Sequence, residues 1–131
     1  IDTRSTLGLF PSEDARNAMW AERHREKAGI LTALKSQGLL PAGVSEDPAQ
    51  VPIMTTELME GIHQYLARTP AWMVLANIDD VIGTRVQANL PGTVDQHPNW
   101  CRKLSLPVEE LTQDSRFERL AALLRLTRPL V

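Results

Sequence analysis

The chain has a single cysteine, Cys101, in 131 residues. One thiol excludes an internal disulfide and any zinc cluster built on several cysteines; a reducing, cytoplasmic setting is the default expectation. A basic excess is missing too: 14 lysines and arginines stand against 16 aspartates and glutamates, a formal net charge of -2. Nucleic-acid binders carry a basic face or stripe, so that class is set aside, and no basic run or RNA motif is present. No apolar stretch approaches the roughly 20 residues needed to span a bilayer, and no basic-then-apolar leader opens the chain, so no membrane partner is expected. His24, His63 and His97 fit no metal-ligand spacing, and no metal is expected. Repeats and low-complexity tracts are also absent.

What is present is an ordinary globular composition, 43% hydrophobic and 23% charged. The length suits one domain, a single unit over 1–131, able to bury about two-thirds of its unfolded surface. Residues 1–10 show no clear period. Ser12 is a good helix N-cap, followed by Glu13 and Asp14 where the helix dipole favours acids. The pattern predicts a helix over 12–37, with Ala15, Met19, Ile30, Leu31 and Leu34 on an interrupted stripe and Gly38 placed to stop it. Gly29 inside it costs about 1 kcal/mol against alanine and makes a kink an expectation there. Glu22 to Lys27 reads as a solvated face with i,i+4 ion pairs, His24 among them. Loop follows over 38–54, punctuated by Pro41, Gly43, Ser45, Asp47 and Pro48. Thr55 or Thr56 caps a second helix over 55–68 with Leu58, Ile62, Tyr65 and Leu66 on one face, and His63 reads as a packed or partly exposed residue. Pro107 opens a short turn through Leu111. Asp114 caps a terminal helix over 114–128 with Phe117, Leu120, Ala121 and Leu124 on the apolar side and Arg116, Arg119, Arg125 and Arg128 on the other.

One stretch breaks the helical pattern. Trp72, Met73, Val74, Leu75 and Ala76 are an unbroken apolar run after Pro70, which predicts a short strand over 72–76 buried on both faces. Asn77 or Asp79 then caps a short helical turn with Val81 and Ile82, closed by Gly83. A polar loop over 84–103 comes next. Leu90-Pro91-Gly92-Thr93 reads as a type II turn, with proline presetting φ and glycine supplying φ > 0, and Pro98-Asn99 suits a second corner. Two hard corners bracket Val94, Asp95 and Gln96. Rigidity of this kind lowers the ordering cost of holding polar groups on a ligand, and it equally suits a well-made structural loop.

At these residues the chain resembles a known family. Asn89-Leu90-Pro91-Gly92-Thr93, then Pro98-Asn99-Trp100 and Arg102-Lys103, is similar to the C-terminal end of the 4-alpha-glucanotransferases, the amylomaltases or disproportionating enzymes. Leu75 to Gly83 resembles the last barrel strand and short helix of that family, and Gly8 to Ser12 with Gly38-Leu39-Leu40-Pro41 extends the likeness over nearly the whole chain. Cys101 departs from the pattern, which leads one to expect a basic or aromatic residue there.

The resemblance implies a mainly α chain with one short β-strand, the C-terminal fragment of a (β/α)8 TIM-barrel glycosyl transferase. It places Ile1 inside the barrel, shortly after the penultimate strand, so a piece cut or designed from a longer enzyme is expected. The implied reaction moves α-1,4-glucan segments between maltooligosaccharides by a retaining double displacement without a cofactor. Such chemistry needs a pair of carboxyl groups flanking the glycosidic bond. Asp79, Asp80 and Asp95 are the acids near the loop, and the resemblance assigns none of them that role. No catalytic residue is therefore nominated, and the 131 residues alone are expected to be inactive. What the chain offers is substrate positioning. The Asn89 amide both donates and accepts, which suits paired sugar hydroxyls; Pro91 and Gly92 shape the wall; His97, Asn99 and Trp100 are further candidates. Trp100 either stacks on a sugar face or is buried as an anchor of the loop, and the residues alone favour the anchor. The implied partners are a maltooligosaccharide or α-glucan and the rest of the barrel, with self-association through faces left uncovered. The competing reading is a free-standing, non-catalytic helical interaction module.

Overall fold

The computed structural model describes residues 1–128. They form α1 (Asp2–Thr6), α2 (Glu13–Ser36), a 3-10 turn (Pro48–Gln50), α3 (Thr56–Ala67), α4 (Ile78–Ile82), α5 (Val108–Leu111) and α6 (Ser115–Thr127). Helix ends follow local chemistry. Ser12 Oγ accepts from Ala15 N–H, Thr55 Oγ1 from Leu58 N–H, Asn77 from Asp79 N–H and Asp114 from Arg116 N–H. Each side chain thereby satisfies one of the donors that a helix N-terminus leaves unpaired. Gly83 ends α4 with φ 74, a left-handed value that favours glycine. Helix α2 runs unbroken through Gly29, which is exposed, so the helix does not end there. Two short helical pieces, α1 and the 3-10 turn, lie where no helix was expected.

Helix α3 is the centre. It touches α2, α4 and α6. One side packs Leu58 with Leu31, Leu34, Leu39 and Val51, with Ile62 and Tyr65 alongside. Another side packs Met59 with Val81 and Leu120, flanked by Phe117 and Leu124. Burying each such side chain is worth about 1.5–3 kcal/mol. Gly61 sits where the chain leaving α2 comes closest: a methyl group there would stand 2.6 Å from the Leu39 carbonyl oxygen. His63 is buried, its Nδ1 donating to the Met59 carbonyl at 2.9 Å.

Basic side chains tie these layers together. Arg119 pairs with the buried Glu60 at 2.8 Å, Arg116 donates to the Ile82 carbonyl at 2.8 Å, and Arg128 reaches the Thr69 and Ala71 carbonyls. This corrects the expectation that these arginines merely fill the outer side of the last helix. Lys27 is a second correction. Instead of pairing along α2, its ammonium donates to the Pro48 carbonyl at 3.0 Å and to the Val51 carbonyl. The ion pairs that do form on α2 are i,i+3 pairs: Arg16–Glu13, Arg23–Glu26 and Arg25–Glu22.

The expected strand over 72–76 is not formed, and no strand occurs among the described residues. Trp72 is 104% exposed, Met73 72% and Leu75 80%. A strand is stable only where another strand completes its backbone hydrogen bonds. No second strand faces this run among the described residues, so it stays irregular and most of its apolar side chains stand in solvent. The architecture is thus all-helical.

Candidate functional site

The loop over 84–103 is built outward from α4. After Gly83, Thr84 N–H donates to the Asp79 carbonyl at 2.8 Å and closes the helix. The far end of the loop returns to the same helix, where the Arg102 guanidinium pairs with the Asp79 carboxylate. That pair is largely sheltered, and Asp79 Oδ1 and Arg102 Nε are buried without a partner. Both ends of the loop are therefore moored at one residue.

Between the moorings the loop holds itself by hydrogen bonds. Thr93 N–H donates to the Leu90 carbonyl at 3.2 Å, and Gly92 has φ 87, as the expected type II turn demands. Leu90 is the one buried residue of the loop. Its N–H donates to Asn99 Oδ1 at 2.8 Å, and Asn99 Nδ2 donates to the Thr93 carbonyl at 3.2 Å and hydroxyl at 2.9 Å. His97 Nε2 donates to the Gln87 carbonyl at 3.1 Å, and Trp100 N–H donates to the Ala88 carbonyl at 2.7 Å. The corner at Pro98-Asn99 is closed by Cys101 N–H to the Pro98 carbonyl at 3.4 Å.

The six candidates divide on this geometry. Asn99 spends its whole carboxamide and His97 its Nε2 within the loop. Pro91 and Gly92 stand exposed at the turn. Asn89 is half-buried, and its side-chain amide has no hydrogen-bond partner among the described residues. Trp100 is 77% exposed, which overturns the expectation of a buried anchor. It also has φ 61, a left-handed value that disfavours a residue with a side chain by about 1 kcal/mol. Fixing the loop falls to the Asn99 carboxamide instead. A short polar side chain can bridge three backbone and hydroxyl groups at a corner, where an indole can bridge one at most.

No trio of carboxylate, thiol and imidazole groups lies close enough to hold a metal ion among the described residues. Asp80 and Asp95 are exposed, and Asp79 is engaged with Arg102. His24 is exposed on α2, far in sequence from the loop. A cleft of about 210 Å³ between α2 and α3 is lined by Trp20, Ile30, Val51, Ile53 and Met54 among others, and another beside α4 by Thr55, Thr84, Arg85 and Arg116. Neither includes any of the six candidates. No helix is long and apolar enough to cross a membrane among the described residues. The carboxyl of Asp114 is held down at about 2, first by the hydrogen bond from the Arg116 guanidinium and against the opposing effect of burial.

Nothing in the sequence pattern singled out Gly61, Glu60 or Asp79 as joints. Only the Asp79–Arg102 pair left a trace, as an acid and a basic pair at the two ends of the recognisable stretch.

Comparison with known proteins gives this loop a family. The sequence model described as 4-alpha-glucanotransferase matches residues 8–109, which include every candidate residue. A 4-alpha-glucanotransferase of Mycobacterium tuberculosis (strain ATCC 25618 / H37Rv) is 31% identical over 133 residues, covering 95% of this chain and 17% of the relative. One of Haemophilus influenzae is 29% identical over 108 residues, covering 82% of this chain and 15% of the relative. The chain thus spans about a sixth of the length of these curated relatives. With most of its residues inside the match, the chain belongs to the 4-alpha-glucanotransferase family.

Proposed function

We propose that this chain is the C-terminal portion of a 4-alpha-glucanotransferase and supplies one wall of its sugar cleft. The reaction is the transfer of α-1,4-glucan segments between maltooligosaccharides by a retaining double displacement, with the reactive carboxyl groups on chain outside these residues. The run 72–76 pairs in the whole enzyme with strands of a (β/α)8 barrel, which would cover Trp72, Met73 and Leu75. A cytoplasmic setting suits the exposed, unpaired thiol of Cys101.

One observation carries the reading: the Asn89 amide is free to bond a ligand while the backbone on either side of it is pinned. A carboxamide offers both a donor and an acceptor to neighbouring hydroxyls. Pro91 and Gly92 form the rigid edge, and the Trp100 indole is exposed where it can lie against the apolar face of a glucose ring. His97 and Asn99 contribute by holding this surface in shape. The bare apolar run weighs against a free-standing module, since such a module would cover Trp72 and Leu75 itself.

The test is Asn89→Ala in the full-length enzyme. Loss of a hydrogen bond to a positioned hydroxyl lowers kcat/KM for maltotriose disproportionation by about 10–100-fold, with the melting temperature unchanged. Wild-type kcat/KM in that variant sinks the sugar-wall reading. The 131-residue chain alone is expected to show no turnover on maltooligosaccharides.

A further inference from the structure

The Asn99 carboxamide sits in a closed ring of hydrogen bonds. Leu90 N–H donates to Asn99 Oδ1 at 2.8 Å, Asn99 Nδ2 donates to Thr93 Oγ1 at 2.9 Å, and the Thr93 hydroxyl donates back to the Leu90 carbonyl at 2.7 Å. The partners fix which way the amide points. Only its oxygen can accept from a backbone N–H, and only its nitrogen can donate to the Thr93 carbonyl at 3.2 Å. The ring joins two stretches of loop nine residues apart. Asn89 precedes one end of it and Trp100 follows the other, and these two keep their side chains available to solvent. Trp100 holds its left-handed φ of 61 beside this ring, its N–H bonded to the Ala88 carbonyl at 2.7 Å.

We propose that Asn99 is a positioning residue. Directly at the Leu90 N–H and by way of the Thr93 hydroxyl it sets the spacing between Asn89 and Trp100, so that amide and indole meet one glucosyl unit together. The proposal rests on the sugar-wall reading above and adds a residue that touches no sugar. Asparagine is required because the ring needs one acceptor and one donor from a single short side chain. Asn99→Asp keeps the acceptor but turns a carboxylate oxygen toward the Thr93 carbonyl. Thr93→Val removes the relay with little change in volume, and Thr93→Ser keeps it.

The experiment is a double-mutant cycle in the full-length enzyme, read by maltotriose disproportionation. Asn99→Asp and Thr93→Val are each expected to lower kcat/KM about tenfold, mainly through KM, and the double variant is expected to do no worse than either one, as for two members of one unit. Thr93→Ser should restore near-normal KM. Hydrogen exchange at the Leu90 amide should speed up in Asn99→Ala, which removes the acceptor of that N–H. Additive losses, or a Thr93→Ser variant as poor as Thr93→Val, overturn the clamp. Normal activity in Asn99→Asp alongside a deficient Asn89→Ala overturns the clamp and leaves the sugar wall standing. Normal activity in Asn89→Ala removes the sugar wall and the clamp with it. If neither Asn99→Asp nor Thr93→Val folds, the ring belongs to the fold itself and positioning is refuted.

Discussion

The region around α3 and the loop over 84–103 are held by opposite means. Around α3, leucines and a methionine from four parts of the chain pack on two sides of one helix. In the loop a single residue, Leu90, is buried, and shape is kept by hydrogen bonds among backbone, Asn99, Thr93 and His97. Apolar packing is non-directional and tolerates a change of atom type if volume is kept. Hydrogen bonds are directional, and swapping one donor for an acceptor breaks them at constant volume. The core should therefore feel volume and the loop should feel chemistry.

That contrast can be broken by experiment. The largest effect on stability is expected for Leu34→Ala, which opens a cavity beside Leu31 and Leu58 and costs about 2–5 kcal/mol in chemical denaturation. An equal loss from Leu34→Met, which nearly keeps the volume, would erase the distinction. Next comes Gly61→Ala, whose methyl group would meet the Leu39 carbonyl oxygen at 2.6 Å. Overpacking of this kind costs about 1–3 kcal/mol, and a neutral result would show that the α2 exit is free to move. Smaller still is Trp100→Gly. Relief of the left-handed φ offsets the extra freedom of the unfolded chain, so stability shifts by no more than about 1 kcal/mol. In the full-length enzyme the same change should raise KM, since the exposed indole is lost.

The smallest effect is electrostatic. Asp114 titrates at about 2 in the folded chain against an ordinary 3.8, because the Arg116 guanidinium bonds its carboxylate. A folded value below the unfolded one means that this stabilisation is complete above pH 3.8 and is lost as the pH falls toward 2. Thermal melts between those limits should be less pH-dependent in Asp114→Asn, which keeps a capping side chain. An unchanged slope would show that the pair adds nothing to stability.

The helical half of the fold was legible. Ser12 and Asp114 cap where expected, Thr55 and Asn77 are each one of the two caps the residues left open, and helices predicted over 12–37, 55–68 and 114–128 appear as Glu13–Ser36, Thr56–Ala67 and Ser115–Thr127. Capping and helix periodicity act within one or two turns, so neighbours in sequence suffice to settle them. The turn at Leu90 to Thr93 was legible for the same reason, since Pro91 and Gly92 set their own dihedrals. The strand was misjudged because an apolar run states that a segment wants covering, not that a partner is present. Trp100 departs from expectation because size and hydrophobicity suggest burial, whereas the ring is 77% exposed at this corner of the loop.

By itself, the sequence determined where the three long helices start and stop, where the loop turns, and the family likeness carried by residues 89–103, all of them local matters of a few dihedrals and side chains. Tertiary structure alone decided that Arg116, Arg119 and Arg128 bind other elements, that Asp79 moors both ends of the loop, and that Asn99 rather than Trp100 fixes its shape. The longer-range contacts among them join residues from nine to 59 positions apart. Whether such a pair meets depends on how every intervening element packs, and no local pattern carries that information.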